Sequence, residues 1–116
     1  MTFAINWIGV IAGVVVSWIA GAVYYMVLGA RTKDDRGCVL VYTSRNLEDW
    51  SYATRIELGE KFGFMWECPD LFELDGELIL VCCPQGVPAD GWRYQNPHQC
   101  VWFRIEADWE APSFKI

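Results

Sequence analysis

Residues 71–83, LFELDGELILVCC, consist of two apolar runs separated by the pair Asp75-Gly76. An Asp-Gly pair readily supplies the two positive-φ positions of a type I′ turn, which joins neighbouring antiparallel strands. Leu71–Leu74 and Glu77–Cys83 are therefore predicted to form a β-hairpin. Short β-prone runs that end at turn residues favour antiparallel sheet over helix, so this stretch indicates a mainly β fold.

The same pattern continues on both sides of the hairpin. The β-prone runs Cys38–Thr43 and Trp50–Leu58 flank a polar turn at Ser44–Asp49, so they are predicted to form another hairpin. Pro84–Pro97 is rich in Gly, Pro and Gln and is predicted to be a loop, which is followed by a further strand over Gln99–Glu106. After residue 31 the sequence thus predicts sheet and not helix.

The first thirty residues have a different character. They contain no charged side chain, so the whole net charge of -6 lies in the rest of the chain. From Trp7 to Ala30 only Ser17 is clearly polar. A helix of this length, at about 1.5 Å per residue, spans a bilayer core of roughly 30 Å. We predict possible membrane insertion through residues 7–30, with an apolar segment at 1–23 ahead of a second region at 24–116.

The composition of the apolar segment supports a membrane helix but leaves an alternative open. Small residues recur at every fourth position, which places them on one helix face where another helix can approach closely: Gly9, Gly13, Ser17 and Gly21. The alternative is a cleaved signal peptide, because Ala20-Gly21-Ala22 has the small-x-small form. No Lys or Arg precedes the apolar run, so the sequence favours the membrane helix.

Charge and cysteine content argue against two classes of function. The net charge of -6, without a cluster of Lys and Arg, argues against nucleic acid as a partner, because phosphate binding needs clustered positive charge. Five cysteines without a CxxC pair indicate neither a closed disulfide framework nor a zinc site. A metal site that joins Cys82-Cys83 to the His98-x-Cys100 segment is disfavoured, because adjacent residues of a strand point to opposite faces.

The most specific motif is Trp66-Glu67-Cys68-Pro69-Asp70-Leu71-Phe72. Other pieces precede and follow it: Tyr25–Ala30, Gly37–Ser44, a Ser-x-x-Leu-x-x-Trp turn at Ser44, Leu47 and Trp50, then Pro84-Gln85-Gly86 and Tyr94-Gln95-Asn96. In this order the pieces resemble glycoside hydrolase family 32, the invertases, levanases and sucrose-6-phosphate hydrolases. Glu-Cys-Pro-Asp matches the family's signature in full, and the resemblance covers about residues 24–116.

The resemblance implies a fold and a reaction. The family's catalytic domain is a five-bladed β-propeller, so residues 24–116 are expected to be a fragment of one, built of antiparallel hairpins and preceded by an N-terminal apolar helix. Residues 24–30 are a strand in this resemblance and the last turn of a helix in the membrane prediction, and the sequence leaves both alternatives open. The family's reaction is the retaining hydrolysis of O-glycosidic bonds in sucrose or fructans. A carbohydrate of this type is therefore the expected partner, and no cofactor is implied.

The resemblance also implies roles for individual residues. Glu67 is expected to be the general acid/base, and Cys68 to line the fructose pocket. Trp66 lies beside a loop, where sugar stacking and core packing are about equally favoured, and we assign it to substrate binding with Cys68. An acid in this role needs a pKa raised by burial, and Met65, Trp66 and Pro69 are neighbours that can exclude water from it.

Tryptophans at strand positions are treated differently from those beside loops. Trp50 and Trp102 lie within predicted strands, where aromatic side chains usually belong to the core. Trp92 lies in the predicted loop, where stacking on a ligand and packing are about equally favoured. We therefore expect Trp50 and Trp102 to be buried.

The catalytic set is expected to be incomplete. A retaining glycosidase also needs a carboxylate nucleophile about 5 Å from the acid. The family's Asn-Asp-Pro-Asn and Arg-Asp-Pro motifs, which supply the nucleophile and the transition-state stabiliser, do not occur in this sequence. Asp70, three residues beyond Glu67 across a proline, is not expected to act as the nucleophile. The chain alone is expected to be inactive, and the alternative hypothesis is a small single-pass membrane protein with an acidic, β-rich binding domain.

Overall fold

The described part of the chain is built from antiparallel β-sheet. The computed structural model describes residues 23–116, and these form seven strands: β1 (Tyr24–Arg31), β2 (Gly37–Ser44), β3 (Ser51–Ile56), β4 (Met65–Leu74), β5 (Glu77–Gln85), β6 (Val101–Asp108) and β7 (Ser113–Lys115). One sheet has the order β1-β2-β3 and the other the order β4-β5-β6-β7. Residues 23–116 contain no helix, which confirms the prediction of a mainly β fold.

Strand β1 corrects the C-terminal end of the predicted membrane segment. Its residues pair with β2 without interruption, from Tyr24↔Ser44 to Arg31↔Gly37. The ladder satisfies the backbone groups that a helix would satisfy internally, and apolar side chains suit a partly buried strand equally well. The prediction of a membrane-inserted helix is therefore wrong for residues 24–30. Its remaining part, including the apolar helix expected at 1–23, lies outside the described residues except for Val23.

Within residues 23–116, no helix is long and apolar enough to span a membrane.

The polar turn expected between β2 and β3 is confirmed. The hydroxyl oxygen of Ser44 accepts hydrogen bonds from the backbone N–H groups of Asn46 (3.2 Å) and Leu47 (2.9 Å). The side-chain oxygen of Asn46 in turn accepts bonds from the N–H groups of Glu48 (2.9 Å) and Asp49 (2.8 Å). Short polar side chains thus satisfy backbone groups that leave the sheet, which stabilises the positive φ of 65° at Leu47.

The hairpin predicted at Asp75-Gly76 is also confirmed. Asp75 and Gly76 have φ angles of 52° and 81°, and the strands on either side pair from Leu74↔Glu77 onward. Both strands extend further than the sequence predicts, because β4 begins at Met65 and β5 continues to Gln85. The sequence signature at 66–70 is therefore part of an edge strand rather than of a loop.

The core lies between the two sheets. Buried apolar side chains from both sheets meet there: Val39, Val41, Ile56, Trp66, Leu80, Cys82, Ile105 and Phe114. In β5 the core-facing positions are alternate residues, as expected for a strand with one face against a core. The short strand β7, which the sequence did not predict, contributes Phe114 and pairs with β6 from Glu106↔Lys115 to Asp108↔Ser113.

The two sheets approach most closely around Trp66. A Cβ atom at Gly29 of β1 would overlap the backbone carbonyl of Trp66, and one at Gly37 of β2 would overlap its indole ring. A hydrogen bond joins β2 to the segment that leads into β4, because the N–H of Gly37 donates to the Gly63 carbonyl (3.1 Å). That segment is in turn held on β5, where the N–H of Phe64 donates to the Gln85 carbonyl (2.8 Å). Glycine at both contact positions is therefore a requirement of the sheet-to-sheet packing.

Candidate active site

The Glu-Cys-Pro-Asp segment forms a β-bulge in β4. Glu67 pairs with Cys83 and Asp70 pairs with Val81, so Cys68 and Pro69 together oppose a single residue of β5. Cys68 has a φ of 48°, which is unusual for a residue other than glycine. Pro69 has no N–H to donate, and a bulge in an edge strand is one of the few places in a sheet where proline fits. Bulges of this kind redirect side chains and are frequent beside active sites.

The bulge decides which way the two carboxylates point. Residues that pair directly across antiparallel strands share a face of the sheet. Glu67 and Asp70 pair with Cys83 and Val81, which lie two residues apart on β5 and therefore point to the same side. Without the extra residue, positions 67 and 70 would point to opposite sides. The bulge thus places both carboxylates on the outer face of the second sheet, where both are exposed.

Trp66 occupies the opposite face and belongs to the core. Its side chain is fully buried, its ring stacks on Phe103 with centroids 5.4 Å apart, and its indole N–H donates to the carbonyl of Phe62 at 2.7 Å. A sugar in solvent cannot reach this ring, so the substrate contact predicted for Trp66 does not fit the structure. The buried indole instead anchors the start of β4, directly before the bulge.

Glu67 is more exposed than the sequence led us to expect. Met65, Trp66 and Pro69 were expected to exclude water from its carboxyl group, yet the residue is exposed. The reason is strand alternation, because Trp66 directs its bulk to the opposite face of the sheet. Cys68 is exposed beside Glu67, in the bulge itself.

A row of thiols lies beside Glu67 on the outer face. Cys83 is its register partner on β5, and Cys100 directly precedes β6. Burial raises the pKa of the Cys83 thiol, and the neighbouring groups of Cys100, Cys68 and Glu67 raise it further. Cys100, Cys68 and Glu67 therefore lie close enough to Cys83 to affect its thiol.

Cys82 lies on the other side of the sheet from Cys83. It is fully buried in the core, and burial raises the pKa of its thiol to about 12, with smaller contributions from Cys83 and Cys100. The two neighbouring thiols cannot meet at one ion, as strand alternation led us to expect. Among residues 23–116, no group of three His, Cys, Asp or Glu side chains is arranged to hold a metal.

Two aromatic clusters of the described region were not found from the sequence. An aromatic cluster supports the inner side of the signature strand, where Phe62 contacts Phe103 (6.0 Å between centroids) and Tyr94 (5.3 Å). A second cluster joins the sheets, where Tyr25 packs edge-on against Trp109 at 4.6 Å and donates its hydroxyl to the Trp109 carbonyl at 3.2 Å. Aromatic residues at loop ends were the only sequence signal for these clusters. The sequence does not show which of them pack together, because the partners are far apart in the chain.

Two clefts of the described region lie away from the signature. One of about 500 Å³ lies between the β2–β3 turn and the β6–β7 turn, lined by residues that include Asn46, Asp49 and Trp109. Another of about 360 Å³ lies on the outer face of the second sheet, between Phe72 and Trp102. Neither is lined by Glu67, and the chemistry of the signature, rather than the concavity of the surface, identifies the candidate site.

The outer face of the second sheet is unusually apolar. Exposed side chains there include Phe72, Leu74 and Trp102, and Trp102 is 64% exposed. The expectation that Trp102 belongs to the core is therefore wrong, because its partner in the ladder, Val81, points outward. Trp50 is half-buried, and Trp92 in the loop is almost fully exposed.

Comparison with known proteins identifies the family to which this arrangement belongs. The family model described as the glycosyl hydrolases family 32 N-terminal domain matches residues 15–116. The chain belongs to glycoside hydrolase family 32, as the Glu-Cys-Pro-Asp signature predicts. The match begins within the predicted apolar segment and includes all seven strands.

The chain is similar to several sucrose-6-phosphate hydrolases. The chain is 40% identical over 103 residues to that of Bacillus subtilis (strain 168) and 39% identical over 103 residues to that of Salmonella typhimurium. Each alignment covers 84% of this chain and 22% of the relative. The chain therefore spans about a fifth of the length of the curated relatives it matches.

Solved structures give the same result. A mutant of the Bombyx mori family 32 β-fructofuranosidase in complex with sucrose superimposes with a TM-score of 0.71 at 41% identity. The sucrose-6-phosphate hydrolase from Lactobacillus gasseri superimposes with a TM-score of 0.70 at 28% identity. Each match covers 80% of this chain and 20% of the other chain.

Proposed function

We propose that this chain contributes the acid/base segment of a β-fructofuranosidase-type glycosidase, which hydrolyses O-glycosidic bonds of sucrose or fructans with retention. Membership of family 32 supports the reaction class. The names of the relatives and the sucrose in the Bombyx mori complex support the substrate class. The single observation that carries the proposal is the complete signature held at a bulge, with Glu67 exposed on the outer face of the sheet.

In this proposal Glu67 acts twice. Its carboxylic acid donates a proton to the glycosidic oxygen as the bond to the leaving group breaks, and the resulting carboxylate then removes a proton from the attacking water. The exposed position of Glu67 on an edge strand leaves its oxygens free for both steps. Cys68, exposed beside it in the bulge, is proposed to line the sugar pocket, while buried Trp66 positions the strand.

We further propose that the 116-residue chain hydrolyses nothing by itself. A retaining mechanism needs a nucleophilic carboxylate that faces the acid across the sugar, about 5 Å away. Asp70 projects from the same strand and the same face as Glu67, so the two carboxylates stand side by side, with backbones roughly 7 Å apart along the strand. A sugar cannot lie between them.

We also propose that the two sheets are neighbouring blades of a five-bladed β-propeller. They stack face to face through a shared core, with β1 of one sheet in contact with β4 of the other. The outer face of the second sheet exposes Phe72, Leu74 and Trp102. An exposed apolar face of this kind is typical of a surface that packs against another element, and in a propeller that element is the next blade.

A direct assay tests the proposed inactivity. The purified chain is incubated with sucrose and with sucrose 6-phosphate, and released fructose or glucose 6-phosphate is measured beside a Glu67→Gln variant. We expect no release from either protein. Release that the variant abolishes would overturn the proposal that the chain is inactive alone.

A chimera tests the role of Glu67 independently. Residues 23–116 replace the aligned segment of the Bacillus subtilis sucrose-6-phosphate hydrolase, and we expect the chimera to hydrolyse sucrose 6-phosphate. Glu67→Gln in the chimera should lower kcat by at least about 100-fold, because general acid–base catalysis contributes roughly that much. The matched control is Glu73→Gln, which removes another exposed carboxylate of β4 and should leave kcat within about twofold.

Added azide distinguishes acid/base loss from misfolding. Azide attacks the glycosyl-enzyme intermediate without needing a general base, so it should restore turnover of an activated fructoside by a Glu67→Ala chimera and yield a fructosyl azide. Failure of azide to restore turnover in a folded Glu67→Ala chimera would refute the acid/base assignment.

A further inference from the structure

The register between β5 and β6 sets Cys83 opposite Cys100, which directly precedes β6. The ladder between these strands runs from Leu78↔Ile105 to Cys82↔Val101, and an isolated bridge at Gln85↔His98 keeps the same register beyond it. Continued to the next residue, this register pairs Cys83 with Cys100. The regular ladder stops before this row because Pro84, the next residue of β5, has no N–H to donate.

The register brings the two thiols within reach of a covalent bond. Directly opposed residues of antiparallel strands have Cα atoms about 4.5–5.5 Å apart, and a disulfide requires about 4.4–6.8 Å. Opposed residues also share a face, so both side chains leave the sheet on the outer side. Cys100 is exposed and Cys83 is half-buried.

We propose that Cys83 and Cys100 form a redox modification site, a reversible cross-strand disulfide in the row that contains Glu67. The same row runs from Glu67 of β4 through its register partner Cys83 to Cys100. A bond here ties both ends of the Gly86–Gln99 loop, immediately beside the proposed acid/base. This modification is separate from the glycosidase reaction, and its chemistry does not depend on that proposal.

The oxidant is a peroxide. The thiolate of exposed Cys100 attacks one peroxide oxygen, the O–O bond breaks, and a sulfenic acid and one water result. Cys83 then attacks the sulfenic sulfur, the S–O bond breaks as the S–S bond forms, and a second water leaves. Two thiols are oxidised and one hydrogen peroxide is reduced to two waters. A thiol reductant such as dithiothreitol reverses the bond by exchange.

The chain offers a clear readout of the pairing. Combined cleavage after basic residues and after glutamate separates the relevant cysteines, with Cys68 in peptide 68–73, Cys82 and Cys83 in 78–93, and Cys100 in 94–104. The folded chain is treated with hydrogen peroxide, residual thiols are blocked, and the peptides are identified by mass spectrometry. We expect the titratable thiols to fall from five to three, with peptide 78–93 linked to 94–104.

Variants assign the bond to Cys83 rather than to its buried neighbour. Cys83→Ser should abolish the linked peptide, and Cys82→Ala should retain it. Cys68→Ser is the matched control for an exposed thiol of the same region and should also retain it. The melting temperature of the oxidised chain should rise by several degrees and return on reduction, because a cross-link restricts the unfolded state.

Several outcomes would overturn the proposal. Linkage of Cys68 to either thiol, sulfonic acid at Cys100 without a linked peptide, or persistence of five free thiols would each do so. The pairing is measured in the unsubstituted chain, so it does not depend on the folding of a variant. A peptide-linked product that also forms to the same extent in 6 M guanidinium would show random pairing and refute a built site.

Discussion

The two faces of the second sheet differ sharply in burial and in chemistry. The inner face carries Trp66, Leu80 and Cys82, all fully buried against the first sheet. The outer face carries Glu67, Asp70 and Cys100, all exposed. Adjacent residues of one strand therefore lie in opposite environments, one buried against the first sheet and the next exposed. Packing against the first sheet accounts for the residue types on the inner face, whereas the proposed acid/base chemistry and the proposed neighbouring blade account for those on the outer face.

Removal of the Trp66 side chain should have the largest effect on this contrast. Trp66→Ala deletes a fully buried ring that stacks on Phe103 and should lower the free energy of unfolding by about 3–5 kcal/mol. Trp102→Ala removes an indole from the outer face, where 64% is already exposed, and should cost clearly less. Urea unfolding followed by circular dichroism measures both. Equal losses would show that the outer face is packed as tightly as the inner one.

The glycines at the sheet-to-sheet contact should give the next largest effect. Gly37→Ala places a methyl group where the Trp66 indole lies, and overpacking of this kind should cost about 1–3 kcal/mol. Gly59→Ala is the matched control, because nothing lies within 4 Å of a Cβ atom there. Denaturant midpoints of the two variants test the difference. A Gly37→Ala protein as stable as Gly59→Ala would mean that the sheets do not meet at this point.

The buried thiol of Cys82 on the inner face should make the stability of the chain depend on pH. Burial raises the pKa of Cys82 from 9.0 to about 12, so the native state retains a proton that the unfolded state releases. This contribution to stability is fully present below pH 9 and is lost as the pH rises toward 12, by at most about 1.4 kcal/mol per pH unit. Between pH 8.5 and 11, the free energy of unfolding should therefore fall more steeply for the unsubstituted chain than for Cys82→Ala. Parallel curves would contradict the burial of this thiol.

The smallest effect on stability should come from Glu67. Glu67→Gln changes an exposed side chain without a salt bridge among the described residues, so the free energy of unfolding should stay within about 0.5 kcal/mol. Thermal melts of the two proteins at neutral pH provide the measurement. A large loss would show that Glu67 stabilises the fold. Lower activity of the Glu67→Gln chimera could then not be attributed to loss of the acid/base.

Local signals in the sequence were sufficient for the hairpins. Asp75-Gly76 specifies its turn through backbone preferences of the two residues themselves, and the Ser44–Asp49 turn is closed by hydrogen bonds over two or three residues. Such features need no distant partner. The short strand β7 was missed for the converse reason, because its three residues become a strand only by pairing with β6.

The environment of the candidate site was harder to predict. Trp66 was assigned to substrate and Trp102 to the core, and the structure reverses both positions. A strand pattern of alternate faces does not say which face meets the core. The bulge at Cys68 adds a further change of side along β4, so alternation cannot be followed through it.

By itself, the sequence determined the mainly β class, the hairpin at residues 71–83 and the family signature with Glu67, because each depends on residues close together in the chain. Only the tertiary structure decided that residues 24–30 form a strand. An apolar run suits either a membrane helix or a partly buried strand, and the pairing with β2 distinguishes the two. It also decided that Trp66 is buried and Glu67 is exposed, because the position of the first sheet determines which face of β4 is covered.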